Sequence, residues 1–358
     1  MKNIIHDKKY HFVYAFDTES GAYVRTGILD KNGKDTGTDP FMGSFPHLID
    51  VGIMGHCIHG KTGLCAKAGI GCYQSGMVKA MPNMSVEDFE WIARQCKGKC
   101  NQFALGGRGD PDQHEHFEEI LKICAEYNIV PNFTTSGYGM TEQTASLCKK
   151  YCGAVAVSWY RNDYTFAAIR MLQDAGVKTN IHYVVGNNSI DEAIERLSKN
   201  DFPEHVNAVI FLMHKPVGQG TEKNVLKISD PRVKQFFELI ESPHPFKVGL
   251  DSCSAPGVIN FCRRVNLESI DTCEGGRFSC YIGADLKMTP CSFDQNEKYT
   301  VQLIPETISD AWNSDVFEQF RNHLRTSCPG CKDKTQCMGG CPIVNEIALC
   351  GRECRQHQ

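Results

Sequence analysis

Short apolar runs alternate with amphipathic segments from about residue 47 to residue 253. The runs are HLIDVGIM (47–54), QFALGG (102–107), IVPNFTT (129–135), AVAVSWY (154–160), KTNIHYVV (178–185), NAVIFLMH (207–214) and FKVGLDSC (246–253). Near-continuous apolar and β-branched runs suit strands buried on both faces of a parallel sheet. The segments between them, such as HEHFEEILKICAEYN, YTFAAIRMLQDAG and DPRVKQFFELIES, are patterned as helices. Ser85 with Asp88, and Ser189 with Glu192, have capping-box spacing and mark two helix starts. Repeated strand–helix units predict an α/β fold, either a full or partial (β/α) barrel or an open doubly wound sheet. In both, ligands gather at the carboxyl ends of strands, so chemistry is expected in the loops that follow the runs.

The pattern breaks after residue 253. Cysteines crowd in, helical segments shorten, and no further strand–helix unit is evident. Residues 1–45 hold strand-like pieces around the turn signal KNGKDTG and predict a hairpin or small cap. A net charge of -4 over 358 residues gives no reason to expect nucleic acid or an anionic membrane as partner. No apolar stretch approaches a membrane span, and the N-terminal MKNIIHDKKYHFVYAF lacks the apolar core of a signal peptide. Nineteen cysteines in a chain of this length, without a secretion signal, point to thiolate chemistry in a reducing compartment rather than to disulfides.

Twelve of those cysteines fall into three groups. CPGCKDKTQCMGGC holds Cys328, Cys331, Cys337 and Cys341, with Cys350 and Cys354 beyond it. CEGGRFSCYIGADLKMTPC supplies Cys273, Cys280 and Cys291 across a predicted hairpin. Dense cysteines near Gly and Pro suit iron–sulfur clusters, with structural zinc as the alternative for this region. The third group, CIHGKTGLCAKAGIGC, follows the first strand and carries Cys57, Cys65 and Cys72. Three thiolates on a four-iron cluster leave one iron open to a small chelating molecule. ALGGRGDP ends the next strand with Gly106, Gly107, Gly109 and Asp110, glycines for close backbone approach and a carboxylate to pair with an ammonium. The remaining Cys96, Cys100, Cys124, Cys148, Cys152 and Cys262 mostly sit on helical patterns as apolar filler.

Over roughly residues 45–358 the chain resembles a radical S-adenosylmethionine (SAM) enzyme with a C-terminal SPASM domain. CPGCKDKTQCMGGC matches the Cx2Cx5Cx3C pattern of that family in full. CEGGRFSCYIGADLKMTPC resembles its Cx9–15Gx4C element, with Leu286 where the family has glycine. RGDP resembles the GGEP motif that meets the SAM amino group, with Asp110 for the glutamate. TTSG (134–137), VSWYR (157–161) and NIHYVVG (180–186) resemble further SAM-contacting strand ends. One departure is large: the family's Cx3Cx2C, with an aromatic before the last cysteine, is here Cx7Cx6C with Tyr73 after it.

The resemblance implies a partial (β/α)6-type barrel (46–255) with a C-terminal cysteine-rich iron–sulfur domain (256–358), preceded by a hairpin or cap (1–45). It implies SAM and three [4Fe-4S] clusters. The SAM cluster falls to Cys57, Cys65 and Cys72, and SAM itself to Gly106, Gly107, Arg108, Gly109, Asp110, Ser136 and Ser158. The first auxiliary cluster falls to Cys273, Cys291 and Cys341 with Cys253, or with Cys280 in its place. The second falls to Cys328, Cys331 and Cys337, closed by Cys350 or Cys354.

The implied activity is reductive cleavage of SAM, with hydrogen abstraction from a peptide or protein leading to oxidation, a thioether or C–C crosslink, or epimerisation. Flavodoxin or ferredoxin is the expected reductant, and the cytoplasm the expected location. A separate peptide-recognition protein is a further expected partner, since residues 1–45 are short for a recognition domain. The alternatives are radical dehydrogenation of a small metabolite and a non-catalytic iron–sulfur electron carrier. His59, Tyr73, Arg108, Tyr160, Arg161, His182, His214 and Lys215 lie at strand ends or in the cysteine loop where substrate would come. Lys61 and Lys67 lie between the loop cysteines. None is assigned as the catalytic acid or base.

Overall fold

The computed structural model describes residues 2–59, 63–76, 78–266, 270–347 and 349–350. The chain opens with an antiparallel sheet of β1 (Lys2–Asp7), β2 (Phe12–Asp17) and β3 (Tyr23–Arg25). Its inner face closes around His47, on which Tyr14 stacks at 3.7 Å between ring centres while the Tyr23 hydroxyl meets Nδ1 at 2.7 Å.

Six strand–helix units and a seventh strand follow. They run β4 (Leu48–Met54), a one-turn α1 (Leu64–Lys67), α2 (Val86–Cys96), β5 (Gln102–Gly107), α3 (Phe117–Glu126), β6 (Val130–Thr135), α4 (Glu142–Tyr151), β7 (Val155–Ser158), α5 (Asp163–Asp174), β8 (Thr179–Val185), α6 (Ile190–Lys199), β9 (Ala208–Met213), α7 (Pro231–Ile240) and β10 (Lys247–Leu250). β4 to β10 pair parallel in chain order, as the partial-barrel reading requires. One face of the sheet (Ile49, Val51, Phe103, Val155, Ile181, Val209) joins Phe89, Ile92, Leu121, Ile169 and Leu172 of the helices in a single core. On the other face, Asp50, Ala104 and Asn132 sit in register across β4, β5 and β6 and border the barrel lumen.

Several helix starts are set by their caps. Ser85 accepts the Asp88 N–H at 3.1 Å and Asn162 that of Thr165 at 2.9 Å, while Asp230 caps α7 ahead of Pro231. Ser189 departs from its expected capping role. Its hydroxyl donates to the Val184 carbonyl at 2.8 Å, and Glu192 is taken up by Trp159, Arg161 and Arg196. Ion pairs over a strand end win over a local cap that α6 can do without.

The N-terminal sheet lies against the amino ends of the barrel strands. Phe16, Thr18 and Gly21 enclose a cavity of about 330 Å³ together with Gln102, Asn132, Lys178, Asn180 and Asn207. After β10 come α8 (Ala255–Phe261), β11 (Ser279–Ile282), β12 (Lys287–Thr289), β13 (Val301–Gln302), α9 (Ile308–Trp312), α10 (Asp315–Thr326) and α11 (Lys334–Cys337). β11 pairs parallel with β4, Ser279 opposite Leu48 and Ile282 opposite Val51, and β12 and β13 continue antiparallel. The sheet therefore runs as ten strands across the boundary expected near residue 255. Leu286, standing where the resembling family has glycine, has φ 58°, a left-handed turn conformation that glycine adopts freely. Its side chain is buried in the main core, which offsets the backbone cost.

Candidate functional site

The carboxyl ends of β4 to β7 stand side by side, so the cysteine loop, residues 106–110, Ser136 and Ser158 form one wall of the barrel mouth. The end of β5 folds tightly onto that of β4. Gly107 has φ 113°, a Cβ there would stand 2.4 Å from the Met54 carbonyl oxygen, and the Arg108 N–H donates to that oxygen at 2.8 Å. A Cβ on Gly106 would meet nothing within 4 Å, so its surface is open to a ligand. The wall has one charged focus. Asp110 Oδ2 lies 2.8 Å from His59 Nε2 and accepts the Ser136 N–H at 3.0 Å and its hydroxyl. Ser158 stands beside the Tyr160 hydroxyl. The Arg108 guanidinium instead donates to the Lys79 carbonyl, and the side chain borders a cleft with Gln74, Tyr281 and Asp285.

Cys57, Cys65 and Cys72 are half-buried, and the Cys65 thiol is electrostatically coupled to the other two and to Asp110. Burial pushes the Cys65 thiol up to about 11, opposed by the Tyr160 hydroxyl 3.2 Å from its sulfur. Cys72 is held from across the mouth, its carbonyl accepting the Gln219 N–H at 3.0 Å. Gly218 makes that approach possible: it has φ 63°, and a Cβ there would stand 2.3 Å from the Tyr73 carbonyl oxygen. The PVGQG segment (216–220) that clamps the loop was not singled out in the sequence, although a Gly-rich turn directly after a strand was its signal. Three neighbouring thiols are the kind of donor set that three irons of a four-iron cluster would take. Lys67 is exposed, and Lys61 lies outside the described residues.

Two further cysteine sets occupy the C-terminal part. Cys253 interacts with Cys273 and Cys341, and Cys291 with the same two, so these four thiols from separate segments share one interior space. Burial pushes the Cys273 thiol up to about 11 and that of Cys291 higher still. Cys280 points elsewhere, buried on β11 beside Cys100 and Cys96. Cys328, Cys331, Cys337 and Cys350 line a second cavity with Asp333, Lys334 and Ile259, and Cys354 lies outside the described residues. Among the described residues no three His, Cys, Asp or Glu side chains converge on a single metal ion. Ligands of one zinc must meet at about 2.3 Å from it, whereas cluster thiolates each bind a different iron.

The other strand-end residues separate into two kinds. Some are spent on structure: Arg161 pairs with Glu192 at 2.5 Å, and His214 Nε2 meets the Thr221 carbonyl oxygen at 3.0 Å. Others face the lumen. Tyr73 packs on Phe293 at 4.5 Å, and His182 Nδ1 lies 3.0 Å from the Thr134 hydroxyl, with burial holding its ring near pKa 4. Lys215 is buried against Asp251. Asp50 is a lone carboxylate in an apolar run, which by itself carries no functional signal in the sequence. It borders Tyr73, Tyr281 and Cys291, and burial pushes its carboxyl up to about 7. A neutral carboxyl that ionises near pH 7 is suited to proton transfer.

Residues 273–338 match the family model of SPASM, an iron–sulfur cluster-binding domain. No curated protein matches the chain in sequence. Solved structures share its fold at low identity. SuiB of Streptococcus suis bound to S-adenosylmethionine is 17% identical with a TM-score of 0.65, over 87% of this chain and 78% of that one. SuiB bound to the precursor peptide SuiA is 14% identical with a TM-score of 0.69, over 98% and 100%. Native anSMEcpe with bound AdoMet and Cp18Cys peptide is 17% identical with a TM-score of 0.59, over 83% and 89%. The chain thus shares the fold of these structures, and its C-terminal part carries the SPASM domain that the resemblance implied.

Proposed function

We propose that this chain is a radical SAM enzyme acting on a peptide or protein, with the cysteine loop 57–72 as its SAM-cluster site. The observation that carries the reading is the row of strand ends: three thiols after β4, open backbone at Gly106, then Asp110 and Ser136, all on one wall. A four-iron cluster and SAM, when bound there, supply a 5′-deoxyadenosyl radical that takes hydrogen from a carbon of the substrate. The chain's residues do the rest. Cys57, Cys65 and Cys72 hold three irons, and Asp110, fixed by His59 and Ser136, offers its carboxylate to the SAM ammonium. Tyr160 orients Cys65, and Gly218 with Gln219 keeps the loop closed on the mouth. Tyr73 and Phe293 wall the lumen between this site and the first auxiliary set, excluding water from a radical intermediate.

The reading extends to three clusters, with auxiliary sites at Cys253, Cys273, Cys291 and Cys341 and at Cys328, Cys331, Cys337 and Cys350. A peptide substrate is favoured because the fold is shared with structures that hold peptides. We further propose a flavodoxin or ferredoxin as reductant, a separate protein that presents the peptide, and a cytoplasmic setting.

The test is 5′-deoxyadenosine release by the anaerobically reconstituted protein with SAM and a strong reductant. The parent should form it, and a Cys57→Ala/Cys65→Ala/Cys72→Ala variant should not. Candidate peptides that raise turnover well above background identify the substrate class. Equal release from both proteins would overturn the assignment of the loop.

A further inference from the structure

The buried ion pair of Lys215 and Asp251 has no task in the reading above. Lys215 follows β9 and is 7% exposed. Its ammonium donates to the Met213 carbonyl oxygen at 2.8 Å and to Asp251 Oδ2, and stands 4.8 Å from the centre of the Phe293 ring. Asp251 is tied down in turn, Oδ2 accepting the Met213 N–H at 3.1 Å and Oδ1 the Ser254 hydroxyl at 2.6 Å. Two of the three ammonium N–H groups are thus accounted for by named acceptors.

The pair also has a direction. Asp251 stands two residues before Cys253, and Phe293, over whose ring the ammonium sits, two residues after Cys291, and Cys253, Cys291 and Cys341 all feel the ammonium. The carboxylate is turned to the Met213 N–H and the Ser254 hydroxyl, so the ammonium is the end of the pair that faces this set. The other charged groups facing this set are Arg277 and Glu274 at Cys273 and Asp50 at Cys291. Arg277 donates to the Cys273 carbonyl oxygen at 3.1 Å. Charge in a low-dielectric interior acts more strongly than in water, and cluster potentials follow local charge and hydrogen bonding to sulfur.

We propose that Lys215 is a positioning residue for the first auxiliary cluster, its ammonium stabilising the reduced state and raising the reduction potential of that site. The inference rests on Cys253, Cys273, Cys291 and Cys341 being cluster ligands. A raised potential suits a site that accepts one electron, and so favours net oxidation of the substrate among the reactions named above.

The experiment is an EPR-monitored redox titration of the full chain carrying Cys57→Ala, Cys65→Ala and Cys72→Ala. The component that disappears on adding Cys291→Ala belongs to the first set. Lys215→Met/Asp251→Asn, which leaves no lone buried charge, should shift that component's reduced-to-oxidised ratio at fixed poise at least tenfold toward oxidised, or 59 mV for one electron. Asp251→Asn alone keeps the ammonium and should shift it the other way, and Lys215→Arg should retain the parent value. If the double variant loses iron, the direction seen in Asp251→Asn decides. A first-set component at the parent potential in the double variant overturns the proposal for Lys215. No component lost on Cys291→Ala, at full iron content, overturns the cluster reading beneath it.

Discussion

The two auxiliary cysteine sets are built in opposite ways. Cys253, Cys273, Cys291 and Cys341 come from four segments spanning 89 residues and meet only when β10, the β11–β12 hairpin and the C-terminal loops are in place. Cys328, Cys331 and Cys337 lie within one short loop around α11, joined in their cavity by Cys350. Both sets are half-buried, but the first is ringed by charge, the buried Lys215 paired with Asp251 on one side and the buried Arg277 on another. The second has the half-buried Lys334, whose ammonium reaches the Ser327 carbonyl. One site is a product of the whole fold and the other is nearly a local motif, so damage should spread from the first and stay confined at the second.

With both sets holding clusters as proposed, the largest contrast is expected from their cysteines. Cys291→Ala and Cys331→Ala should each remove about four irons per chain. Metal binding that joins distant segments is folding free energy, so the first change should also lower the thermal midpoint by about 10 °C or more and the second by less than about 4 °C. Equal losses in anaerobic calorimetry would break the comparison. The lysines should differ next. Lys215→Met strands a buried carboxylate and should cost about 3–5 kcal/mol, whereas Lys334→Met should cost under about 1 kcal/mol. Denaturant unfolding of both variants measures this, and Asp251→Asn added to Lys215→Met should recover part of the loss.

A smaller effect is expected at Asp50. Its folded-state pKa, about 7, is raised above the ordinary carboxylate value, so the folded chain keeps a proton that the unfolded chain releases from about pH 4 upward. The penalty is absent below that range, accumulates as pH rises to about 7, and is full above it. Asp50→Asn should therefore stabilise the protein at pH 8 by roughly 1–2 kcal/mol, with the gain fading toward pH 4. Asp333→Asn, at the second cavity, should change stability by less than about 0.5 kcal/mol. A pH-independent gain at Asp50 would remove it from the interior charges around the first set.

The sequence made the local features legible. The seven apolar runs hold the seven parallel strands, because the face turned to the helices has to be apolar at every second position. Cys328 to Cys337 announced themselves by spacing. What escaped depends on neighbours distant in the chain. Asp50 is one carboxylate among apolar residues, and only the burial that the folded chain imposes on it raises its pKa. Lys215 is legible in the sequence as a strand-end residue, but its meaning comes from Asp251, 36 residues on. Ser189 had the spacing of a cap and lost that role to contacts with the end of β8, which spacing does not encode. The pairing of β11 with β4 joins positions more than 200 residues apart, and nothing in either segment names the other.

That pairing bears on how the molecule can be taken apart. β4 lies inside the sheet because β11 covers its outer edge. A fragment ending near residue 255 would uncover a seven-residue strand, LIDVGIM, with a free hydrogen-bonding edge and a single charge. Such an edge is a template for association with other chains. The cysteine-rich segment therefore doubles as the solubility guard of the barrel, and exchanging it with that of a relative would succeed only if the donor brought its own edge-capping strand.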